Sequence, residues 1–161
     1  MKNPELRRNI SFNHLTYFLL LLFNVLICVG HEKEKNDENI IFIVNSKNPA
    51  TEINIADVRD YYFKIKRSWP DGENVRFIDR NKPEIREQFL RKILKKSRSD
   101  VDLYWIGQKL YTGNSAPLKE LSDQSTIKFV STFKGAIGYV SARADITSTE
   151  VKIIKLENVE D

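Results

Sequence analysis

The chain has 161 residues, of which 41% are hydrophobic and 11% aromatic, so it is long enough and apolar enough to bury one hydrophobic core. Its formal net charge is +4, and residues 1–30 carry half of that charge, because Lys2, Arg7 and Arg8 are offset by Glu5 alone. Residues 31–161 therefore have a net charge of only +2. Nucleic-acid-binding proteins typically have a much larger basic excess, so we expect no nucleic-acid partner.

The composition also counts against most hydrolase mechanisms and against a zinc site of the usual type. Cys28 is the only cysteine, so the chain can form no intrachain disulfide and no zinc site of the usual cysteine and histidine type. His14 and His31 are the only histidines, and both lie in or beside the N-terminal segment. The chain also contains no Gly-x-Ser-x-Gly elbow and no P-loop. We therefore expect a protein that is not an enzyme and needs no metal and no cofactor.

Residues 1–30 have the pattern of a secretory signal peptide. A basic start precedes an apolar run over residues 15–29, which is shorter than the about 20 residues that a membrane-spanning helix needs. Cleavage before His31 would leave a mature protein without cysteine. Two other interpretations stay open, namely acylation of Cys28 as in a lipoprotein and an uncleaved membrane anchor. All three place the folded part in the periplasm or another extracytoplasmic space.

A charged segment without apolar side chains, residues 31–39, follows, and we expect a solvated linker there. The folded domain should then cover residues 40–161. Its first strand is predicted at Ile40–Val44, because a continuous run of apolar, mostly β-branched residues is typical of a strand buried on both faces.

The stretch over residues 55–89 predicts a helix, a turn, a strand and a second helix. Asn54 can cap the first helix, whose apolar residues recur at spacings of three and four: Val58, Tyr61, Tyr62 and Ile65. Trp69–Gly72 has the proline and glycine of a tight turn, and Val75–Ile78 is a short strand. The second helix should begin at Pro83 and continue to Leu94, with basic residues at its end that either attract phosphate or form a solvated face: Arg91, Lys92, Lys95, Lys96 and Arg98.

The second half of the domain continues the alternation of helices and strands. Ser99 and Asp102 predict a capping box for a helix that ends at Gly113, with apolar positions at Leu103, Trp105, Ile106, Leu110 and Tyr111. Leu118–Leu121 is expected to be a short apolar turn, and Ser122 should cap a helix that runs to Phe133. A buried strand Ala136–Val140 and a final edge strand Val151–Leu156 complete an α/β domain with a mixed sheet flanked by helices.

The order of these motifs resembles a known family. A Phe-x-x-Lys-x-x-Trp-x-Asp-Gly segment from Phe63, a strand, Arg80, and then Arg86 and Phe89 on a helix are similar to the phosphate-binding proteins that feed ABC importers. Tyr111-Thr112-Gly113 and the glycine-rich strand at residues 135–140 match as well. The resemblance, which is closer to short single-domain relatives, covers about residues 41–142 and implies one lobe of the type 2 periplasmic binding fold.

The same resemblance indicates where this chain departs from the family. There, the arginine that corresponds to Arg80 precedes an acidic residue and a Ser-Gly-Thr helix start that donates backbone N–H groups to the anion. Here Lys82 takes the acidic position, and Pro83-Glu84-Ile85 replaces the helix start. Pro83 has no N–H to donate, and the charge of Glu84 repels an anion.

Two hypotheses of function follow. In the first, the chain is an exported solute-binding protein that captures a small oxyanion such as phosphate at the strand ends and meets an ABC-transporter permease or another membrane protein. The residues expected to bind the ligand are Ser46, Arg80, Asn81, Arg86 and Thr112. In the second, the domain has lost phosphate capture and serves as an extracytoplasmic interaction or sensory module.

Overall fold

The computed structural model describes residues 39–147 and 150–157, and the predicted signal peptide at 1–30 and nearly all of the predicted linker lie outside these residues. The described chain forms one mixed sheet with helices on both faces, as the sequence predicts. Its strands are β1 (Ile40–Asn45), β2 (Glu52–Asn54), β3 (Arg76–Arg80), β4 (Leu118–Glu120), β5 (Ala136–Ser141) and β6 (Val151–Glu157). Its α-helices are α1 (Ile55–Tyr62), α2 (Pro83–Gln88), α3 (Arg98–Thr112) and α4 (Asp123–Thr132), and a π-helical segment (Phe89–Leu94) continues α2.

The sheet has the strand order β2-β6-β1-β5-β3-β4. Strand β1 runs antiparallel to both of its neighbours, β5 and β6, whereas the other pairs are parallel. The carboxyl ends of β3, β4 and β5 therefore lie together on one side of the sheet. We call this side, where these strands end, the carboxyl edge, which is distinct from an edge strand. The opposite edge, where β3 and β4 begin and β1 ends, is the amino edge.

The two faces of the sheet bury two hydrophobic clusters. The larger lies under α1, α2, the π-helical segment and α3, and it contains stacked aromatic rings, with the Phe89 and Tyr139 centroids 4.3 Å apart. The smaller lies under α4 and includes Ile78 and Val130. Strand β1 contributes Phe42 to the first cluster and Ile43 to the second, which confirms that it is buried on both faces.

Several local predictions are confirmed by hydrogen bonds. The Asn54 side chain accepts from the Ala56 N–H at 2.8 Å and caps α1. The Gly72 N–H donates to the Trp69 carbonyl at 2.9 Å and closes the predicted turn, with Gly72 at a φ of 85° that favours glycine. Ser122 caps α4, and Gly113 ends α3 in the left-handed conformation.

Helix α3 differs from its prediction. Its capping box is formed by Ser97 and Asp100, not by Ser99 and Asp102, and the helix buries Val101 and Trp105 on its core face. Both pairs have the same spacing, so spacing alone does not separate them. The other predicted apolar positions of α3 lie on its outer side and are exposed: Leu103, Ile106, Leu110 and Tyr111.

Three further expectations are corrected, two of them by the pairing of the strands. The last strand is not an edge strand, because β2, too short to be predicted, pairs with β6 on its outer side. Leu118–Leu121 is not only a turn, because Leu118–Glu120 pairs with β3 as strand β4. Ile65 is exposed, because α1 ends at Tyr62 and the apolar stripe stops with it. Among the described residues no helix is long and apolar enough to cross a membrane.

The packing around Gly138 gives a first prediction. A Cβ at Gly138 would lie 2.5 Å from Ile78 Cγ2 and 3.1 Å from Thr126 Cγ2, whereas a Cβ at Gly107 on α3 would meet nothing within 4 Å. We expect Gly138→Ala to lower the free energy of unfolding by about 1–3 kcal/mol through overpacking. Gly107→Ala should raise it by about 0.5–1 kcal/mol, because alanine is the better helix former. Urea denaturation of both variants measures these two changes. Equal changes in the free energy of unfolding would contradict the prediction.

Candidate functional site at the carboxyl edge

The carboxyl edge brings together the ends of three parallel strands and the starts of two helices. Arg80 and Asn81 lie at the end of β3, and the Asn81 N–H donates to the Glu120 carbonyl at 2.9 Å. Helices α2 and α4 begin beside them. In open α/β sheets this is the edge at which ligands bind, so Arg80 and Asn81 lie where the sequence predicts a site.

The Arg80 side chain is buried on the α4 face of the sheet, with only 1% of the residue exposed. Its Nη1 forms an ion pair with the Asp123 carboxylate in the first turn of α4, and its Nη2 donates to the Leu121 carbonyl at 3.5 Å. Its Nε is buried and makes no hydrogen bond within the described structure. Arg80 is therefore a buried cation with one donor left unsatisfied.

Asp123, in the first turn of α4, is the carboxylate next to this arginine. Its Oδ1 accepts from Arg80 and also from the Ser141 backbone N–H at 3.2 Å. The Asp123 side chain is 23% exposed, so it lies between the buried guanidinium and solvent. The carboxylate is thus held by a guanidinium and by a backbone N–H at the end of β5, and donors of these two kinds also bind phosphate and carboxylate ligands in proteins.

The opposite face of β3 carries a second polar network, centred on Asp79. This fully buried carboxylate accepts from the Tyr62 hydroxyl at 3.1 Å, from the Tyr139 hydroxyl and from Arg86 Nε at 3.2 Å. Burial and, next, the Asp79 charge raise the pKa of both tyrosines well above the ordinary value. The network therefore holds the tyrosines protonated and fixes Arg86 inside the fold.

Arg86 is consequently separated from Arg80 by the sheet. Burial alone would lower its pKa, but the Asp79 carboxylate raises the pKa of Arg86 above the ordinary value. Its Nη2 also lies 3.6 Å from Asp102 Oδ1. Arg86 lines a cleft of about 500 Å³ together with exposed Ile106 and Leu110 of α3.

The start of α2 offers no replacement for the anion-binding helix start of the family. Lys82 is the N-cap residue and makes no side-chain capping hydrogen bond, and Pro83 and Glu84 form the first turn. The acidic first turn stabilises the helix and disfavours an anion at its end.

Ser46 and Thr112 are not brought to Arg80, although the sequence predicts all three near one set of strand ends. Ser46 follows β1, and because β1 is antiparallel to β5 its end lies at the amino edge. Thr112 ends α3, and its Oγ1 donates to the Gln108 carbonyl at 2.8 Å. The loop after Thr112 leads to the beginning of β4, again at the amino edge.

Sequence reasoning did not predict the buried contacts that Asp123 and Asp79 make in the structure. Asp123 has the pattern of an ordinary helix-start residue after the Ser122 cap, and its partner Arg80 lies far away in sequence. The position of Asp79 could have indicated its network. It directly follows an apolar strand segment, and an acidic residue that is buried there needs hydrogen-bond donors around it. Tyr62 and Tyr139 were expected to be core residues, and they also supply two of those donors.

Solved structures with a similar fold include a phosphate transport receptor, a phosphate-bound putative substrate-binding protein and a PstS protein. An ABC-type phosphate transport receptor from Vibrio cholerae matches with a TM-score of 0.55 and 16% identity over 73% of this chain and 45% of that chain. A putative phosphate ABC transporter substrate-binding protein with bound phosphate, from Clostridium perfringens, matches with a TM-score of 0.56 and 20% identity over 76% and 46%. PstS from Borrelia burgdorferi gives a TM-score of 0.57 and 14% identity over 73% and 47%.

These likenesses confirm the fold that the motif order indicates, a lobe of the periplasmic-binding-protein kind. The chain spans less than half the length of each of these solved structures. No family model matches the chain, and no curated protein matches it in sequence.

Proposed function

We propose that this chain is an exported solute-binding protein, whose lobe binds a small oxyanion such as phosphate at the carboxyl edge. The observation that carries the proposal is the Asp123 carboxylate, held by Arg80 and by the Ser141 N–H in the manner of a bound oxyanion. The likeness in fold to a phosphate-bound protein supports the choice of phosphate as the first ligand to test.

The chemistry of the site suits a tetrahedral oxyanion. A phosphate offers several acceptor oxygens, so it can take the Arg80 Nη1 and Ser141 donors that Asp123 uses and also reach the unsatisfied Nε. Burial of the guanidinium in a medium of low dielectric strengthens its attraction for an anion.

Asp123 then acts as an internal competitor for Arg80. Because its side chain is partly exposed and belongs to the first turn of α4, it can rotate into water without opening the hydrophobic clusters. The anion must replace this carboxylate, so the affinity of the natural chain is lower than that of a site without Asp123. Asn81, exposed at the end of β3, is a further donor for the ligand.

Export and a membrane partner belong to the same proposal. The pattern of residues 1–30 supports passage across the cytoplasmic membrane, with cleavage, acylation of Cys28 or an uncleaved anchor as the possible outcomes. The partner of an exported solute-binding protein of this fold would be an ABC-transporter permease or another membrane protein. Ser46 and Thr112, at the opposite edge, have no role in this ligand site.

Calorimetric titration of the full chain with phosphate, with sulfate as the comparison anion, tests the proposal. We expect saturable phosphate binding that Arg80→Gln weakens by roughly tenfold to a hundredfold, because hydrogen bonds to charged groups contribute about 1.5–3 kcal/mol. Arg98→Gln is the matched control, because Arg98 is an exposed arginine of α3 that pairs with Glu87, and α3 packs on the opposite face of the sheet from α4. Unchanged phosphate binding by Arg80→Gln would contradict the site.

The second candidate function, an extracytoplasmic interaction module without solute capture, is favoured by the outer side of α3. Leu103, Ile106 and Leu110 follow one another at helical spacing, and each is more than half exposed. Helix faces of this kind mark protein interaction sites. Absence of phosphate binding, together with co-purification of the chain with a membrane protein, would favour this function over the first.

A further inference from the structure

A second charged cleft opens at the amino edge of the sheet, on the far side of the domain from Arg80. It has a volume of about 680 Å³ and lies where β3 and β4 begin and where α1 and α4 end. We call it the amino-edge cleft. The residues that the argument uses are Lys64, Arg67, Arg76, Leu118, Phe129 and Phe133.

Three cations of this cleft have only neutral partners. Lys64 Nζ donates to the Ser115 carbonyl at 2.8 Å, Arg67 Nη2 donates to Asn114 Oδ1 at 3.4 Å, and the Arg76 guanidinium lies 4.3 Å from the centre of the Phe133 ring. No aspartate or glutamate lines the cleft, and in the described part of the chain none of the three pairs with a carboxylate. Burial and then the Arg67 charge lower the pKa of Lys64. The cleft therefore has an unbalanced positive charge.

The backbone of Lys64 is held in a conformation that favours glycine. Lys64 follows the end of α1 with a φ of 57°, in the left-handed region that other residues seldom adopt. This placement directs its ammonium toward the Ser115 carbonyl and to 5.9 Å from the Trp105 ring. A glycine would relieve the backbone but would remove the charge from the cleft.

The remaining wall of the cleft is apolar. Phe129 and Phe133 contribute half-buried rings with centroids 5.1 Å apart, and Leu118 is 69% exposed. Leu118 also begins β4, which is the outermost strand next to β3. Among the described residues, no strand pairs with the other side of β4. An extended chain in the cleft can therefore continue along β4 by adding a strand.

We propose that the amino-edge cleft binds an acidic peptide segment of a partner protein, in extended form, with an aromatic or large aliphatic side chain next to its carboxylates. The carboxylates complement Lys64, Arg67 and Arg76, and the apolar side chain packs on Phe129, Phe133 and Leu118. The site is separate from the oxyanion site, because it lies at the opposite edge of the sheet, at the other end of α4 from Asp123.

The test is fluorescence anisotropy of the full chain with a labelled short peptide that alternates glutamate and phenylalanine. One control peptide carries glutamine in place of glutamate, and the other carries serine in place of phenylalanine. Lys64→Gly removes the charge and relieves the left-handed backbone. Lys95→Gly is its matched control, because Lys95 is the other non-glycine residue with positive φ among the described residues, at 52°, and it does not line the cleft.

We expect saturable binding of the acidic peptide, weakened about tenfold by Lys64→Gly and by Arg67→Gln, since each removes one charge-assisted contact. Lys95→Gly and Arg80→Gln should leave peptide affinity unchanged, and neither glycine variant should melt earlier than the natural chain. Equal binding of the glutamine peptide, or equal loss in the two glycine variants, would overturn the proposal. Binding of 3-phenylpropanoate without binding of the peptide would also overturn it and would assign the cleft to small amphiphilic carboxylates.

Discussion

Replacing Asp79 with alanine is expected to lower the free energy of unfolding by about 3–5 kcal/mol, because the change leaves the buried Arg86 guanidinium without its main counter-charge. The Arg86 side chain is 3% exposed and loses its closest carboxylate, and the Tyr62 and Tyr139 hydroxyls lose their acceptor. Asp102, at 3.6 Å from the Arg86 guanidinium and half exposed, cannot replace a fully buried partner. Urea denaturation with a linear extrapolation measures the loss.

The matched control for this loss is Glu87→Ala. Glu87 pairs with Arg98 at 2.6 Å, but both side chains are about half exposed, so the change should cost at most about 1 kcal/mol. Asp79→Asn should fall between the two, because the amide keeps an acceptor oxygen and loses the charge. A loss below about 1 kcal/mol for Asp79→Ala would show that the Asp79 network does not stabilise the fold.

Replacing Asp123 with asparagine is expected to strengthen phosphate binding at least about tenfold, since it removes the internal competitor of the anion. Asparagine keeps an oxygen that can accept from Arg80 and from the Ser141 N–H, so the local geometry is retained. The variant should lose about 1.5–3 kcal/mol of stability without ligand, because a hydrogen bond to a charged group is weakened. Phosphate should then raise its melting temperature by mass action.

The measurement for Asp123→Asn is a thermal shift series at increasing phosphate, run beside the natural chain. Asp71→Asn is a suitable control, because Asp71 pairs with Lys134 at 3.1 Å in the turn before β3, away from the carboxyl edge. If phosphate raised the melting temperature of Asp123→Asn and of Asp71→Asn by the same amount, Asp123 would not compete with the anion.

Much of the fold follows from local patterns in the sequence. The apolar run of β1, the caps Asn54 and Ser122 and the turn at Gly72 depend on short-range chemistry, and each lies where it is predicted. The direction of β1 does not depend on such chemistry, because a strand buried on both faces has the same composition whether its neighbours are parallel or antiparallel. The prediction that placed Ser46 near Arg80 failed for that reason.

The candidate site is less accessible to sequence reasoning, because its pairs join distant segments. Arg80 was predicted at the correct strand end, but its burial follows from Asp123 on a helix that begins after β4. Trp105 was correctly expected in the core, whereas Leu103, Ile106 and Leu110 were expected there and are exposed. An apolar pattern on a helix does not distinguish a face that packs on its own sheet from one that is left for another molecule.

The central claim is that Arg80 binds an oxyanion in competition with Asp123. Phosphate calorimetry on three chains in parallel tests this claim most directly. The natural chain, Arg80→Gln and Asp123→Asn are titrated at one pH and one salt concentration. We predict that Asp123→Asn binds phosphate most tightly, the natural chain less tightly and Arg80→Gln least. Equal affinities in the three chains, or no binding in any of them, would contradict the claim.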